Sequence, residues 1–352
     1  MRKLYLSTAV LIIAALFLGA CGTAAPTEAP TQEPTQAPAP PEATAVPAEP
    51  FRVAVVMPSA INDLAFSQSM YDALLAVQAE MGGPAAFEIA YSEGMFVIED
   101  AAAAIRDYAS QGFDLVIAHG SQYGSSLQEI APDFPDTSFA WGTTVDTFGL
   151  PNVFAYEARS EQGGYVNGVL AAMYSRSGKI GVIGPIETGD AKLYVDGFTA
   201  GVTATDPEAT VATIWTGSFS DTALASQAAQ THIDAGADVL TGTAQMVAGA
   251  IGVAQESGVS WFGTQSNQAS LAPEIVFASQ VYHWEVVLTE MIALIQGGTL
   301  GGQSFAIDLA NRGLVIERNK DFPVGPDEHL QFALNETIKG IVDGSIVIPV
   351  GE

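Results

Sequence analysis

Gln111-Gly112-Phe113-Asp114-Leu115-Val116 leads through a helix-length segment to Ser138-Phe139-Ala140-Trp141-Gly142-Thr143. Later in the chain, Ala235-Gly236-Ala237-Asp238-Val239-Leu240 leads the same way to Ser260-Trp261-Phe262-Gly263-Thr264. Each stretch has a helix-ending glycine, a strand opened by Asp, a helix, and an aromatic strand ending in Gly-Thr. Gly-Asp punctuation is common to α/β units in general. The likeness therefore suggests two similar lobes without proving a duplication.

Outward from these stretches the same alternation continues. Residues 51–57 (FRVAVVM), 87–91, 113–118 and 137–141 read as strands, with helices at 67–81, 98–110 and 125–130. A second series has strands at 179–183 (KIGVI), 210–215, 237–240 and 259–262, with helices at 192–203, 220–234 and 245–256. Residues 277–284 run strand into helix, 314–317 (LVIE) form a strand, and 328–342 a closing helix. Strands with few polar positions, separated by helices, indicate parallel sheets covered on both faces. The fold class is therefore α/β, in two lobes with parallel sheets.

The N-terminus has a different composition. Arg2 and Lys3 precede an uncharged, mostly apolar run that ends in Leu18-Gly19-Ala20-Cys21. Small residues beside the cut and a thiol at the new N-terminus are what a signal peptidase and an acylating enzyme require. We therefore expect a signal peptide over 1–20 and lipidation of Cys21, which holds the protein on the extracytoplasmic face of the cell membrane. An uncleaved span would leave the chain's one cysteine at that position unexplained. Residues 22–50 are rich in Pro, Ala, Thr, Gln and Glu and cannot bury a core, so 21–50 reads as a lipidated cysteine and tether.

One cysteine excludes an internal disulfide, so stability must come from packing. The net charge is −27, and beyond Arg2 and Lys3 the basic residues are scattered. Phosphate-backbone binding needs concentrated positive charge, so no nucleic acid is expected as a partner. There is no G-x-S-x-G elbow, P-loop, H-E-x-x-H or C-x-x-C. Gly178-Lys179-Ile180-Gly181-Val182-Ile183-Gly184 has glycines three apart and fails the dinucleotide fingerprint. No metal, cofactor or catalytic residue is expected.

In open α/β sheets, ligands sit outside the carboxyl ends of the strands. The loop after the first strand holds Asn62, Asp63 and Phe66: two polar groups and an aromatic ring that could stack on a flat ligand. From spacing alone, a helix cap with Phe66 as a hydrophobic staple is an equal reading. After the third strand come His119, Gly120, Ser121 and Tyr123. A lone His is more often structural, and nothing here resembles a metal site. In the second lobe the equivalent loops are 184–190, 217–221, 241–245 and 263–268, with Phe219, Gln245 and Gln265 as candidates.

These residues together resemble the basic membrane protein family, the substrate-binding lipoproteins of ABC transporters that include purine nucleoside receptors. Ile61-Asn62-Asp63-Leu64-Ala65-Phe66-Ser67-Gln68 is similar to the family's first motif, and Trp215-Thr216-Gly217-Ser218-Phe219-Ser220-Asp221 to its Gly-Ser-Phe-Asn-Asp stretch. Ser177 to Gly184, Gly236-Ala237-Asp238-Val239, Leu271-Ala272-Pro273-Glu274 and Ser279-Gln280-Val281 also fit. The resemblance implies a type I periplasmic-binding-protein fold with a hinge. One lobe would hold 51–156 plus about 283–308, the other 157–282 plus about 309–352. It implies a monomeric, non-enzymatic receptor that binds a purine base or nucleoside and serves an ABC permease and its ATPase. Phe66 and Phe219 become the stacking pair, and Asn62 and the His119–Ser121 loop candidates for the base edge. Nucleoside-binding members usually have Asp at the position of Gln265 and Lys near that of Tyr282, both on the sugar. Loss of both charges points to a nucleobase, or to a nucleoside whose sugar is held by neutral groups. A sugar receptor of the same fold is the alternative. An enzyme such as a nucleoside hydrolase would need a metal-bound carboxylate cluster, which the sequence does not show.

Overall fold

The computed structural model describes residues 49–323 and 327–350; the expected signal peptide, Cys21 and nearly all of the tether lie outside them. The elements run β1 (Phe51–Val56), α1 (Phe66–Glu80), β2 (Phe87–Ser92), α2 (Ile98–Ser110), β3 (Leu115–His119), α3 (Gly124–Ile130), β4 (Ser138–Gly142) and β5 (Val153–Ala158). They continue with α4 (Ser160–Tyr174), β6 (Lys179–Gly184), α5 (Gly189–Thr205), β7 (Thr210–Trp215), α6 (Thr222–Asp234), β8 (Val239–Gly242), α7 (Val247–Ser257) and β9 (Ser260–Gln265). The series ends with β10 (Val276–Tyr282), α8 (Glu285–Gln296), β11 (Ser304–Ile307), β12 (Leu314–Arg318) and α9 (Glu328–Val342).

Two six-stranded sheets form, in the orders β11-β5-β4-β3-β1-β2 and β12-β10-β9-β8-β6-β7. The first is parallel throughout; in the second only the edge strand β12 runs antiparallel, against β10. Apart from the last strand of each, the two orders are the same. The repeated stretches fall on β3-α3-β4 and β8-α7-β9, equivalent places in the two sheets. Helices cover both faces, so Val53 to Val56 of β1 are completely buried and show no polar alternation. The two repeated aspartates lie just before their strands and bind backbone. Asp114 accepts from the Arg52 N–H at 2.7 Å, and Asp238 from the N–H groups of Arg176 and Ser177 at 2.8 and 2.9 Å.

Three segments carry no element in the sequence reading yet are regular here: β5, α4 and β11. Helix α4 (SEQGGYVNGVLAAMY) is buried almost all round, so it lacks an amphipathic stripe, and its glycines look like breakers. Those glycines let α4 and α5 touch backbone to backbone. A Cβ on Gly164 would lie 2.4 Å from the Tyr194 carbonyl oxygen, and one on Gly168 2.1 Å from that of Phe198. From α5, a Cβ on Gly201 would lie 2.2 Å from the Tyr165 carbonyl oxygen.

The chain passes between the sheets three times, through α4, through α8 and between β11 and β12. Where it crosses, one apolar cluster runs from one lobe into the other, with Tyr156, Trp284 and Tyr282 in it. Trp284 meets Tyr156 and Tyr282 edge-on, each at 5.2 Å between centroids.

Candidate functional site

The loop after β1 is built around Asp63. Its carboxylate accepts from the Ser59 hydroxyl and from the N–H groups of Ala65 (2.9 Å), Ser67 (3.2 Å) and Gln68 (3.1 Å). These include N–H groups of the first turn of α1, which have no partner within the helix. Burial pushes the Asp63 carboxyl above the usual carboxylate range, and the hydrogen bonds only partly offset it. The effect is to fix Phe66, the first residue of α1.

Phe66 stacks on the His119 imidazole at 3.8 Å between centroids, with 10° between planes. His119 is completely buried; its Nε2 lies 3.1 Å from the Phe66 carbonyl oxygen and its Nδ1 2.7 Å from the Tyr156 hydroxyl. A carbonyl oxygen can only accept, so Nε2 carries the hydrogen and Nδ1 accepts from Tyr156. Burial pulls the imidazole down to about 3, which keeps this tautomer neutral. His119 is therefore the backing of the Phe66 ring.

In the second lobe, Asp221 caps α6 by accepting from Ala223 and Leu224 N–H groups, and the Ser218 hydroxyl accepts from Ser220 and Asp221. This holds the half-buried Phe219 in place. Ala244 after β8 and Gln265 at the end of β9 have φ of 73° and 71°, in the left-handed region that disfavours side chains. Backbone held this way costs on the order of 1–3 kcal/mol and clusters at binding sites. Asp190, in the first turn of α5, is buried; its Oδ1 accepts from the Thr143 hydroxyl and its Oδ2 from the Tyr282 hydroxyl, both at 3.3 Å. Burial raises the Asp190 carboxyl, and the Tyr282 and Thr143 hydroxyls only partly offset it.

These groups meet in one cavity. The first lobe contributes Pro58, Phe66, Gly120, Ser121, Gln122 and Thr143; the second contributes Asp190, Ala191, Phe219, Ala244, Gln245 and Gln265. Every one lies at or beyond the carboxyl end of a strand, on both sides of the point where strand order reverses. Among the described residues, no group of three or more His, Cys, Asp and Glu could hold a metal ion.

The family model for PnrA-like ABC transporter substrate-binding proteins (Bmp) matches residues 51–349. The chain belongs to this family. It is 30% identical over 217 residues to a purine-binding protein of Brucella abortus, covering 62% of this chain and 61% of that one. It thus spans less than two thirds of that relative's length. The Bacillus subtilis transcriptional activator protein Med is 28% identical over 75% of this chain and 80% of its own. A solute-binding protein of an ABC transporter system from Conexibacter woesei superposes with a TM-score of 0.70 at 24% identity, covering 85% of this chain and 99% of that one. The fold is the two-lobed one of periplasmic binding proteins, as the sequence reading expects. Members of the family bind small molecules outside the cytoplasm for a membrane permease.

In this Bmp-family chain, six of the eleven candidate residues line the cavity: Phe66, Gly120, Ser121, Phe219, Gln245 and Gln265. The other five do not. Asn62 is exposed, Asp63 caps α1, and His119 lies behind Phe66. Tyr123 is in the core, its hydroxyl donating to the Met95 carbonyl at 2.7 Å. Tyr282 sits under the wall, with its hydroxyl 2.8 Å from that of Ser160. Gln265 and Tyr282 are neutral, but Asp190 brings a carboxylate beside them. The loop 184–190 is among those the fold argument selects, yet Asp190 itself looks like an ordinary helix-start acid.

Proposed function

We propose that this protein is the extracytoplasmic receptor of an ABC importer. In this reading Cys21 carries a lipid anchor, the proline-rich tether spaces the receptor from the membrane, and the lobes close about a hinge on a purine base or nucleoside. The loaded receptor then docks on the permease that its ATPase drives. The observation that carries the ligand assignment is the pair Phe66 and Phe219, one ring from each lobe on a single cavity. Phe66 is held flat by the His119 stack and a capped helix start, so its remaining face is pre-organised for a planar ring. The name of the Brucella abortus relative points the same way.

A calorimetric or thermal-shift screen of adenine, guanine, hypoxanthine, their nucleosides and common pentoses tests this. A ligand of the folded form raises its melting temperature by linkage. We expect purines to shift it, and a response to pentoses alone would move the protein to the sugar receptors. Phe66→Ala and Phe219→Ala should each weaken purine binding by about 1 kcal/mol or more. Unchanged affinity in both variants would remove the stacking model. Release of free base from a nucleoside would show an enzyme.

A further inference from the structure

Asp190 and Gln265 form an acceptor-rich wall of the cleft. The Asp190 carboxylate can take about four hydrogen bonds. The Thr143 and Tyr282 hydroxyls reach it only at 3.3 Å, at the long end for O–H donors. Among the described residues no Lys or Arg pairs with it. Gln265 is 3% exposed, and its Oε1 has no hydrogen-bond partner. Buried acceptors left unpaired are unfavourable, and a charged one most of all. A ligand bearing donors would remove that penalty; one bearing a phosphate would add a second negative charge beside an uncompensated first.

We infer that Asp190 is the specificity-determining residue of this cleft. It selects ligands that present paired hydrogen-bond donors, from sugar hydroxyls or from an amino-bearing base edge, and rejects phosphorylated ones. This rests on the purine-receptor reading for the ring that fills the rest of the cavity. It also reverses the expectation from Gln265 and Tyr282 alone, because the charge at this end is present but comes from α5.

Calorimetry on the folded protein with adenine, adenosine, 2′,3′-dideoxyadenosine, adenosine monophosphate and ribose tests it without any variant. Adenosine monophosphate should bind at least about a hundredfold more weakly than adenosine, as expected for a like charge beside a carboxylate in a dry site. Asp190→Asn keeps the shape and removes the charge. It should lower affinity for the donor ligand about tenfold, the loss of a charge-assisted bond. Its ligand-free melting temperature should hold or rise, because a buried carboxylate with no Lys or Arg beside it is gone. If the donors are sugar hydroxyls, adenosine alone loses affinity in Asp190→Asn and dideoxyadenosine binds wild type and variant alike. If they belong to the base edge, adenine and adenosine lose equally. Purines that bind wild type and Asp190→Asn equally well, or a monophosphate that matches adenosine, would overturn the role of Asp190 and leave the purine reading standing. Binding of ribose alone would reject the purine reading while still scoring Asp190 on ribose. No binding of any of the five would end both.

Discussion

His119 shows how a residue that looks functional can serve the site from behind. Its imidazole is neutral because burial lowers it to about 3, and it orders Phe66 through a stack and a hydrogen bond. The unfolded chain takes up a proton on this group as pH falls below about 6.5, while the folded protein does not until near its lowered value. The stability from neutral His119 is therefore complete above the unfolded value and lost as pH drops toward the folded one. At pH 5 wild type should have lost on the order of 2 kcal/mol from this group relative to pH 7. Asp63 and Asp190 are raised, so they act in the opposite sense, favouring the folded state as pH falls through their own values. His119→Gln keeps a donor for the Phe66 carbonyl and an acceptor for Tyr156 but does not titrate. The difference in unfolding free energy between wild type and His119→Gln should shrink by about 2 kcal/mol from pH 7 to pH 5 in urea titrations, the carboxylate contributions cancelling. Parallel pH curves would mean that His119 is not a buried neutral group. Phe66 and Phe219 were legible in the sequence because aromatic residues in strand-end loops stand out. Asp190 was not: its partners Thr143 and Tyr282 are 47 and 92 residues away.

At the scale of elements, α4 and α5 pose a conflict between helix propensity and packing. Propensity alone predicts that Gly→Ala in a helix interior stabilises by about 1 kcal/mol. At Gly168 the new Cβ would meet the Phe198 carbonyl oxygen at 2.1 Å, a backbone atom that cannot swing away. Overpacking of this kind costs about 1–3 kcal/mol or more, so packing should win and Gly168→Ala should lower the urea midpoint. Gly252 in α7 has nothing within 4 Å of its would-be Cβ, and there propensity should win. Gly252→Ala should raise stability by about 0.5–1 kcal/mol. Equal effects in the two variants would show that the close approach of α4 to α5 is not what the glycines serve. The same conflict explains what the sequence hid. Strands and amphipathic helices repeat visibly, whereas α4 is recognisable only through the backbone packed against its glycines. The order shared by the two sheets, by contrast, was foreshadowed by the Asp-opened, Gly-Thr-closed stretches on β3-α3-β4 and β8-α7-β9.

At the scale of the whole molecule, a receptor that delivers its ligand must let the lobes part, so the contacts across the cleft should be few and weak. Among the described residues, three hydrogen bonds join the cleft-facing sides: Thr143 to Asp190 at 3.3 Å, Ser266 to the Ala65 carbonyl at 2.9 Å, and Gln268 to the Leu64 carbonyl at 3.3 Å. Each contributes a net of about 0.5–1.5 kcal/mol to holding these sides together, an amount that a ligand's own contacts can match. A ligand touching both walls adds free energy to the closed form alone and shifts the population toward it. Ser266 is outside the cavity wall, so any influence on affinity must pass through closure. Ser266→Ala should weaken ligand binding about fivefold, the equivalent of one hydrogen bond near 1 kcal/mol, with little change in ligand-free melting temperature. Small-angle scattering should show the radius of gyration of wild type falling on addition of ligand, and Ser266→Ala needing a higher concentration for the same decrease. If Ser266→Ala instead binds normally and only melts earlier, this bond is formed equally with and without ligand, and it does not set the balance between parted and closed lobes.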